Sequence, residues 1–232
     1  MSINYNDIVR SISYDQNEIL YNILKLYNNG NDFDCDPTYS KGGFYNKSKE
    51  FPVNSPKYKF DVFPIINGVE KIEPLGKFPL DDDSIQSINI DLPFVCAPPN
   101  APSMKREGKE HNIIQRRFVS YYPIQEMFKS YYHFLEESFR VLKPGGICIF
   151  KTQRNISGSI TYMTPQYSWM CAEKIGFYTI DEFILLARNR LWSGKIKEQQ
   201  HSRAFHSSFF VFQKPISKRF RTVDYFKWKE NV

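Results

Sequence analysis

The stretch Ser84-Ile85-Gln86-Ser87-Ile88-Asn89-Ile90 sets isoleucines between polar residues and then stops at Asp91-Leu92-Pro93-Phe94. Apolar and polar residues interleaved near period two read as a β-strand. In an open α/β sheet, ligands collect outside the carboxyl ends of the strands. An acid and an aromatic ring fixed there are placed to meet one. The Asp91 carboxylate accepts hydrogen bonds from an amine, and the Phe94 ring stacks on a flat heterocycle. Pro93 locks its own φ and pushes Leu92 toward an extended conformation. A plain strand followed by a turn is the competing reading, and four residues alone leave both open.

The rest of the chain supplies the partners of such a strand. Residues 14–27 place Ile19, Leu20, Ile23 and Leu24 at helical spacing, with Asp15 as N-cap and Gly30 as a left-handed stop. Residues 32–36 read as a first short strand. It opens into Pro37-Thr38-Tyr39-Ser40-Lys41-Gly42-Gly43, a loop whose glycines let backbone approach a ligand or simply form a surface turn. Its spacing is neither that of a P-loop nor GxGxxG. A second strand is expected over 58–64 with Asp61 near its end, and a third over 72–75. Residues 121–142 form an amphipathic helix stopped by Lys143-Pro144-Gly145-Gly146, and Ile147–Lys151 a buried strand. A helix over 166–174 and strands over 179–187 and 207–213 follow.

The 232 residues suffice for one large domain, assigned to 1–214, with a basic tail over 215–232. No apolar run reaches the length of a membrane span, and no signal peptide is evident, so a cytoplasmic protein is expected. Cys35, Cys96, Cys148 and Cys171 are scattered without a CxxC pair, which points to buried free thiols and to no zinc site. The net charge of +6 is clustered rather than spread. Lys105, Arg106, Arg116 and Arg117 lie in one polar segment, and Arg190, Lys195, Lys197 and Arg203 in another. Bases interleaved with aromatics suit a nucleic acid whose bases can be stacked, while a solvated basic surface is the alternative. The segments 95–120 and 188–206 are therefore the candidate recognition loops. No metal-ligand spacing joins His111 or His133 to anything, and His201 and His206, ahead of the last strand, suit a structural or nucleic-acid-contacting role rather than catalysis.

Taken together, strand–glycine loop, strand–acid, acidic turn, strand–Asp91-Leu92-Pro93-Phe94 and helix–Leu142-Lys143-Pro144-Gly145-Gly146–strand resemble the class I S-adenosylmethionine-dependent methyltransferases. Within them, Asp91–Phe94 looks like the (D/N/S)PP(Y/F/W) motif of the enzymes that methylate exocyclic amines of nucleic-acid bases, with Leu92 in place of the first proline. The resemblance covers roughly 14–214 and is strongest over 78–150. It implies a Rossmann-like α/β fold with a mostly parallel central sheet, helices on both faces and an antiparallel last strand. It implies S-adenosylmethionine as cofactor, with Asp36, Thr38, Gly42 and Gly43 at its methionine end, Asp61 at its ribose and Asp81 or Asp82 near its adenine. Asp91 and the Leu92 carbonyl would take the two hydrogens of the target amine, and Phe94 would stack on the flipped base. DNA adenine is the first choice of target. An RNA base is the alternative, as is an inactive relative that binds nucleic acid or a partner subunit. A partner protein or a homo-oligomer is compatible with the short chain.

Overall fold

Residues 8–96, 121–189, 201–218 and 221–224 are described by the computed structural model. In chain order the strands are β1 (Ile12–Ser13), β2 (Cys35–Asp36), β3 (Tyr58–Asp61), β4 (Glu70–Lys71), β5 (Ile85–Ile90), β6 (Leu142–Thr152), β7 (Asn155–Ser157), β8 (Ile160–Tyr162), β9 (Tyr178–Leu186) and β10 (His206–Gln213). The helices are α1 (Gln16–Tyr27), α2 (Ile124–Val141) and α3 (Thr164–Ile175). One eight-stranded sheet runs β1-β9-β10-β6-β5-β2-β3-β4, and β7 and β8 form a separate hairpin. Strands β4, β3, β2, β5 and β6 pair in parallel, as do β1 and β9, while β10 runs antiparallel to both β6 and β9. This is the doubly wound, Rossmann-like sheet with an antiparallel last strand that the sequence implies.

Helices cover both faces, and the central strands are apolar on both sides for that reason. Ile147 and Ile149 of β6, with Phe209 and Val211 of β10, pack against Ile19, Leu20, Ile23 and Leu24 of α1. The alternating residues Cys148, Phe150, Phe210 and Phe212 join Met127, Tyr131, Phe134 and Leu135 of α2 on the other face. The four cysteines are free and buried. Asp15 caps α1 by accepting the Asn17 N–H at 2.8 Å, and Gly30, at φ +75, returns its N–H to the Leu24 carbonyl.

Several local departures have identifiable causes. The isoleucines of β5 change phase between Ile85 and Ile88 because the register with β6 slips there. Leu142 pairs with Ile85 and Ile147 with Ser87, so residues 143–146 bulge out opposite Gln86. A Cβ on Gly146 would lie 2.9 Å from the Gln86 carbonyl oxygen, and Gly145 sits at φ +84, so both glycines are required by the bulge. The strand accordingly begins at Leu142 rather than after the glycines. Cys35–Asp36 is the strand part of the expected 32–36 segment, and ahead of it the Asp34 carbonyl still accepts the Tyr58 N–H of β3 at 2.9 Å, while toward β5 no ladder precedes Cys35. The Asp34 side chain instead accepts the Gln86 and Ser87 N–H groups at 2.7 and 3.1 Å and thereby replaces the ladder. The third strand lies at Glu70–Lys71, ahead of residues 72–75, because a turn closed by the Gly76 N–H on the Glu73 carbonyl breaks the chain there. The sequence reading missed β1 and the β7–β8 hairpin, whose strands are two and three residues long and carry no periodicity. Among the described residues no helix is long and apolar enough to cross a membrane.

Candidate functional site

From β2 the chain winds outward to β3 and β4 on one side, while β5 and β6 build the other side. The strand order therefore reverses between β2 and β5, and that switch point is where an open α/β sheet leaves a crevice for ligands. Two acids stand at its lip, Asp36 closing β2 and Asp91 following β5.

Asp91 is fixed from two directions. Its N–H donates to Thr38 Oγ1 at 2.9 Å. One carboxylate oxygen, Oδ2, accepts from Lys151 Nζ at 3.2 Å. The other, Oδ1, is buried and has no partner among the described residues. Burial pushes the Asp91 carboxyl up from its ordinary value, and the Lys151 ammonium pulls it back down in part. The following loop is pinned by its carbonyls. Tyr131 donates its hydroxyl to the Pro93 oxygen at 3.2 Å, and Asn155 Nδ2 donates to the Phe94 oxygen at 2.5 Å. The Leu92 side chain is buried at 4% exposure in the α2-side core, and the Phe94 ring is half-buried. Leu92 thus anchors the loop by packing where a proline would anchor it by ring closure.

The loop after β2 is saturated by its own donors. Asp36 Oδ1 accepts from the Thr38 N–H at 2.7 Å and from Thr38 Oγ1 at 2.9 Å. Asp36 Oδ2 accepts from the Tyr45 hydroxyl at 2.6 Å, and that hydroxyl accepts from Asn89 Nδ2 at 3.0 Å. The carboxyl is 1% exposed, and burial pushes it up to about 7 against the pull of these donors. Thr38 links the two strand ends, giving its proton to Asp36 and receiving the Asp91 N–H. Gly42 is at φ +67, and a Cβ there would meet the Tyr39 hydroxyl oxygen at 2.6 Å, so this glycine makes room for the chain's own ring. Gly43 is exposed, with nothing among the described residues within 4 Å of its Cβ position, so its backbone stands open. Asp61 is half-buried, with one oxygen on the Ser40 N–H and the other on the Phe63 N–H. Burial raises its carboxyl, and these two donors lower it in part.

Asp81 and Asp82 require a correction. They precede β5, so they lie at its amino end, about 20 Å of strand from Asp91. Asp82 pairs there with Arg140 of α2 at 2.7 Å and is exposed, an ion pair that closes the helix-to-strand corner. Neither acid belongs to the crevice. Of the basic residues expected to contact nucleic acid, Lys105, Arg106, Arg116, Arg117, Arg190, Lys195 and Lys197 lie outside the described residues. Arg203 is described and half-buried.

The site contains residues that the sequence reading did not single out: Lys151, Gln16, Asn89, Tyr45 and Tyr131. Lys151 had a legible signal, since it ends the apolar run Ile147-Cys148-Ile149-Phe150, where a charge inside a doubly covered strand needs a partner. Tyr45 and Asn89 had none, because their hydrogen bonds span residues far apart in the chain.

The orphaned Asp91 Oδ1 and the open Gly43 backbone fit a ligand that brings N–H donors to the switch point. No protein-family model matches the chain, and no curated protein does. Solved structures similar to it include the complex of S-adenosyl-L-methionine with a Thermus thermophilus protein classed as a DNA modification methylase. That match has 15% identity, covers 63% of this chain and 54% of the other, and has a TM-score of 0.37. The PvuII cytosine-N4-specific DNA methyltransferase matches at 16% identity over 60% and 47% of the two chains, with a TM-score of 0.38. A complex of the Haloferax volcanii Trm112 methyltransferase activator with a candidate methyltransferase matches at 12% identity over 82% and 86%, with a TM-score of 0.45. The chain spans about half the length of the two DNA methylases.

Proposed function

We propose that the protein transfers a methyl group from S-adenosylmethionine to an exocyclic amine of a nucleic-acid base, with adenine in DNA as the first target. The observation that carries the reading is Asp91 at the switch point, with one carboxylate oxygen held by Lys151 and the other buried and without a partner among the described residues. An aromatic amine is a poor nucleophile because its lone pair is delocalised into the ring. Hydrogen bonds from its two protons to Asp91 Oδ1 and the Leu92 carbonyl favour a tetrahedral nitrogen and localise that pair. Holding the pair in line with the acceptor methyl replaces a bimolecular encounter by a positioned one. Bound S-adenosylmethionine supplies the electrophilic methyl. Asp91 need not be a strong base, since the proton leaves after transfer. Phe94 offers the stacking face for a base taken out of its stack. Asp36 and Thr38 would shape the loop at the methionine end, Gly42 would hold its turn against Tyr39, Gly43 would let its backbone approach, and Asp61 would use its remaining lone pairs on the ribose.

The test is methyl incorporation from labelled S-adenosylmethionine into DNA and into RNA, followed by digestion and identification of the methylated nucleoside. An N-methylated base formed by the wild-type protein supports the reading. Methyl groups found only in RNA move the target and keep the chemistry. Calorimetric titration with the cofactor separates the remaining case. The engagement of both Asp61 oxygens by backbone N–H groups favours a second reading, a methyltransferase-like protein that binds nucleic acid or a partner without transfer. Absence of cofactor binding, with and without nucleic acid, selects it.

A further inference from the structure

A buried lysine faces the proposed amine acceptor. Lys151 is 9% exposed, and lysine is almost never buried without a partner. Ile90 pairs with Phe150 across the parallel β5–β6 ladder, so the next residues outward, Asp91 and Lys151, stand side by side at the crevice. On its other flank Lys151 pairs with Phe209 of β10. Its Nζ donates to Asp91 Oδ2 at 3.2 Å and to Gln16 Oε1 of α1 at 3.0 Å. It also lies 5.0, 5.5 and 5.9 Å from the ring centroids of Phe44, Phe209 and Phe94. An ammonium has three donors, and ring faces attract the cation where no further acceptor stands.

We infer that Lys151 is the positioning residue of the site, the counter-ion that keeps Asp91 a carboxylate and turns its unpartnered oxygen toward the substrate amine. The role rests on Asp91 being the amine acceptor proposed above. The groups facing Asp91 explain why a counter-ion is needed. From β2 stands the Asp36 carboxyl, itself raised chiefly by burial, with the Asp91 charge adding a smaller push. From α2, Tyr131 contributes a hydroxyl that is itself pushed far up by burial and brings no positive charge. From β6 comes Lys151. Among these described groups it is the one cation, and what it works against is burial, the largest push against ionisation of Asp91. A neutral Asp91 would present an O–H where the amine protons need an acceptor. Because Lys151 takes Oδ2 and leaves Oδ1, it fixes the plane of the carboxylate without occupying the substrate's oxygen.

The experiment follows the Asp91 carboxyl directly. Protein labelled with carbon-13 at aspartate side chains is titrated by NMR, with Asp91→Asn identifying the resonance. Lys151→Met removes the charge at similar length and should move the Asp91 midpoint upward by about one to three pH units. If Lys151→Met does not fold, Lys151→Gln reads a smaller shift in the same direction, since it keeps a donor toward Asp91 without the charge. A midpoint that stays within a few tenths of a unit of the wild type in the folded variant overturns the assignment. The acid limb of the transfer rate against pH should move with the NMR midpoint, and the rate should recover above it. Loss of transfer at every pH with an unmoved midpoint also overturns it. If the wild type transfers no methyl group at all, the proposed function fails while the NMR titration still decides the counter-ion.

Discussion

At the end of β2, Asp36 has three donors on its two oxygens, all supplied within ten residues of chain, and is sealed from solvent. At the end of β5, Asp91 has one donor on one oxygen, supplied from sixty residues away, and its second oxygen is left over. The two acids stand at the carboxyl ends of adjacent strands of one sheet, Asp91 two residues further out, and Thr38 bonds to both. What separates them is the origin of their partners. A carboxylate satisfied by its own loop builds that loop, whereas a carboxylate held by one distant cation keeps acceptor capacity for something that arrives. Asp61 also differs from Asp91, since both its oxygens are engaged by backbone, one by the Phe63 N–H of its own turn and one by the Ser40 N–H of the β2 loop.

The largest effect expected from this contrast falls on chemistry at Asp91. Asp91→Asn retains an oxygen for Lys151 but turns the free atom into a donor, which repels the amine protons. Methyl transfer should fall by about 10²–10³-fold, in line with the loss of one positioned group in a preorganised site. Circular dichroism and the thermal midpoint should stay near those of the wild type. Transfer at the wild-type rate would sink the catalytic assignment. Asn is the informative substitution, because Ala would strand the buried Lys151 and confound rate with stability.

The next effect falls on stability at Asp36. Asp36→Ala deprives the Tyr45 hydroxyl, the Thr38 N–H and Thr38 Oγ1 of their acceptor inside a closed core. Leaving buried donors unsatisfied should cost about 3 kcal/mol in urea unfolding. If Asp36→Ala instead unfolds like the wild type but loses the cofactor, Asp36 is a ligand and the division between the two strand ends collapses.

These two acids also mark where the sequence was readable. The antiparallel direction of the last strand came from the family resemblance, whereas the strand at 85–90, the helices and the last strand itself over 207–213 were legible because each is written locally in apolar spacing. Asp91-Leu92-Pro93-Phe94 was legible for the same reason. The roles of Asp36 and Asp61 were not, because an acid at a strand end reads the same whether its oxygens face a ligand or the chain's own N–H groups. Asp81 and Asp82 were misplaced because sequence proximity to β5 does not say which end of the strand an acid occupies. Lys151 was passed over because its meaning depends on the register between two strands sixty residues apart.

A smaller and pH-dependent effect sharpens the Asp36 side. Burial pushes its carboxyl from the ordinary 3.8 to about 7, so the folded protein holds a proton that the unfolded chain has already released. Stability from this group is complete below the unfolded value, and it is lost as pH rises through about 7. Unfolding midpoints should therefore decline from about pH 5 to about pH 8, and Asp36→Asn should flatten that decline. A slope that survives the substitution would assign the titration to another group.

The smallest effect distinguishes the two adjacent glycines of the β2 loop. Gly42 has a positive φ, and its Cβ position falls against the Tyr39 ring, so Gly42→Ala meets both backbone strain and a clash. It should cost about 1–3 kcal/mol in stability, whether or not a ligand is bound. Gly43 has neither problem, and Gly43→Ala should change stability by no more than about 0.5 kcal/mol. Any effect of Gly43→Ala must then come from outside the chain. If the open backbone is where the cofactor approaches, a methyl group there weakens calorimetric binding while the unfolding curve stays in place. If binding is unchanged as well, the loop after β2 is structural throughout, and ligand recognition belongs to the β5 side alone.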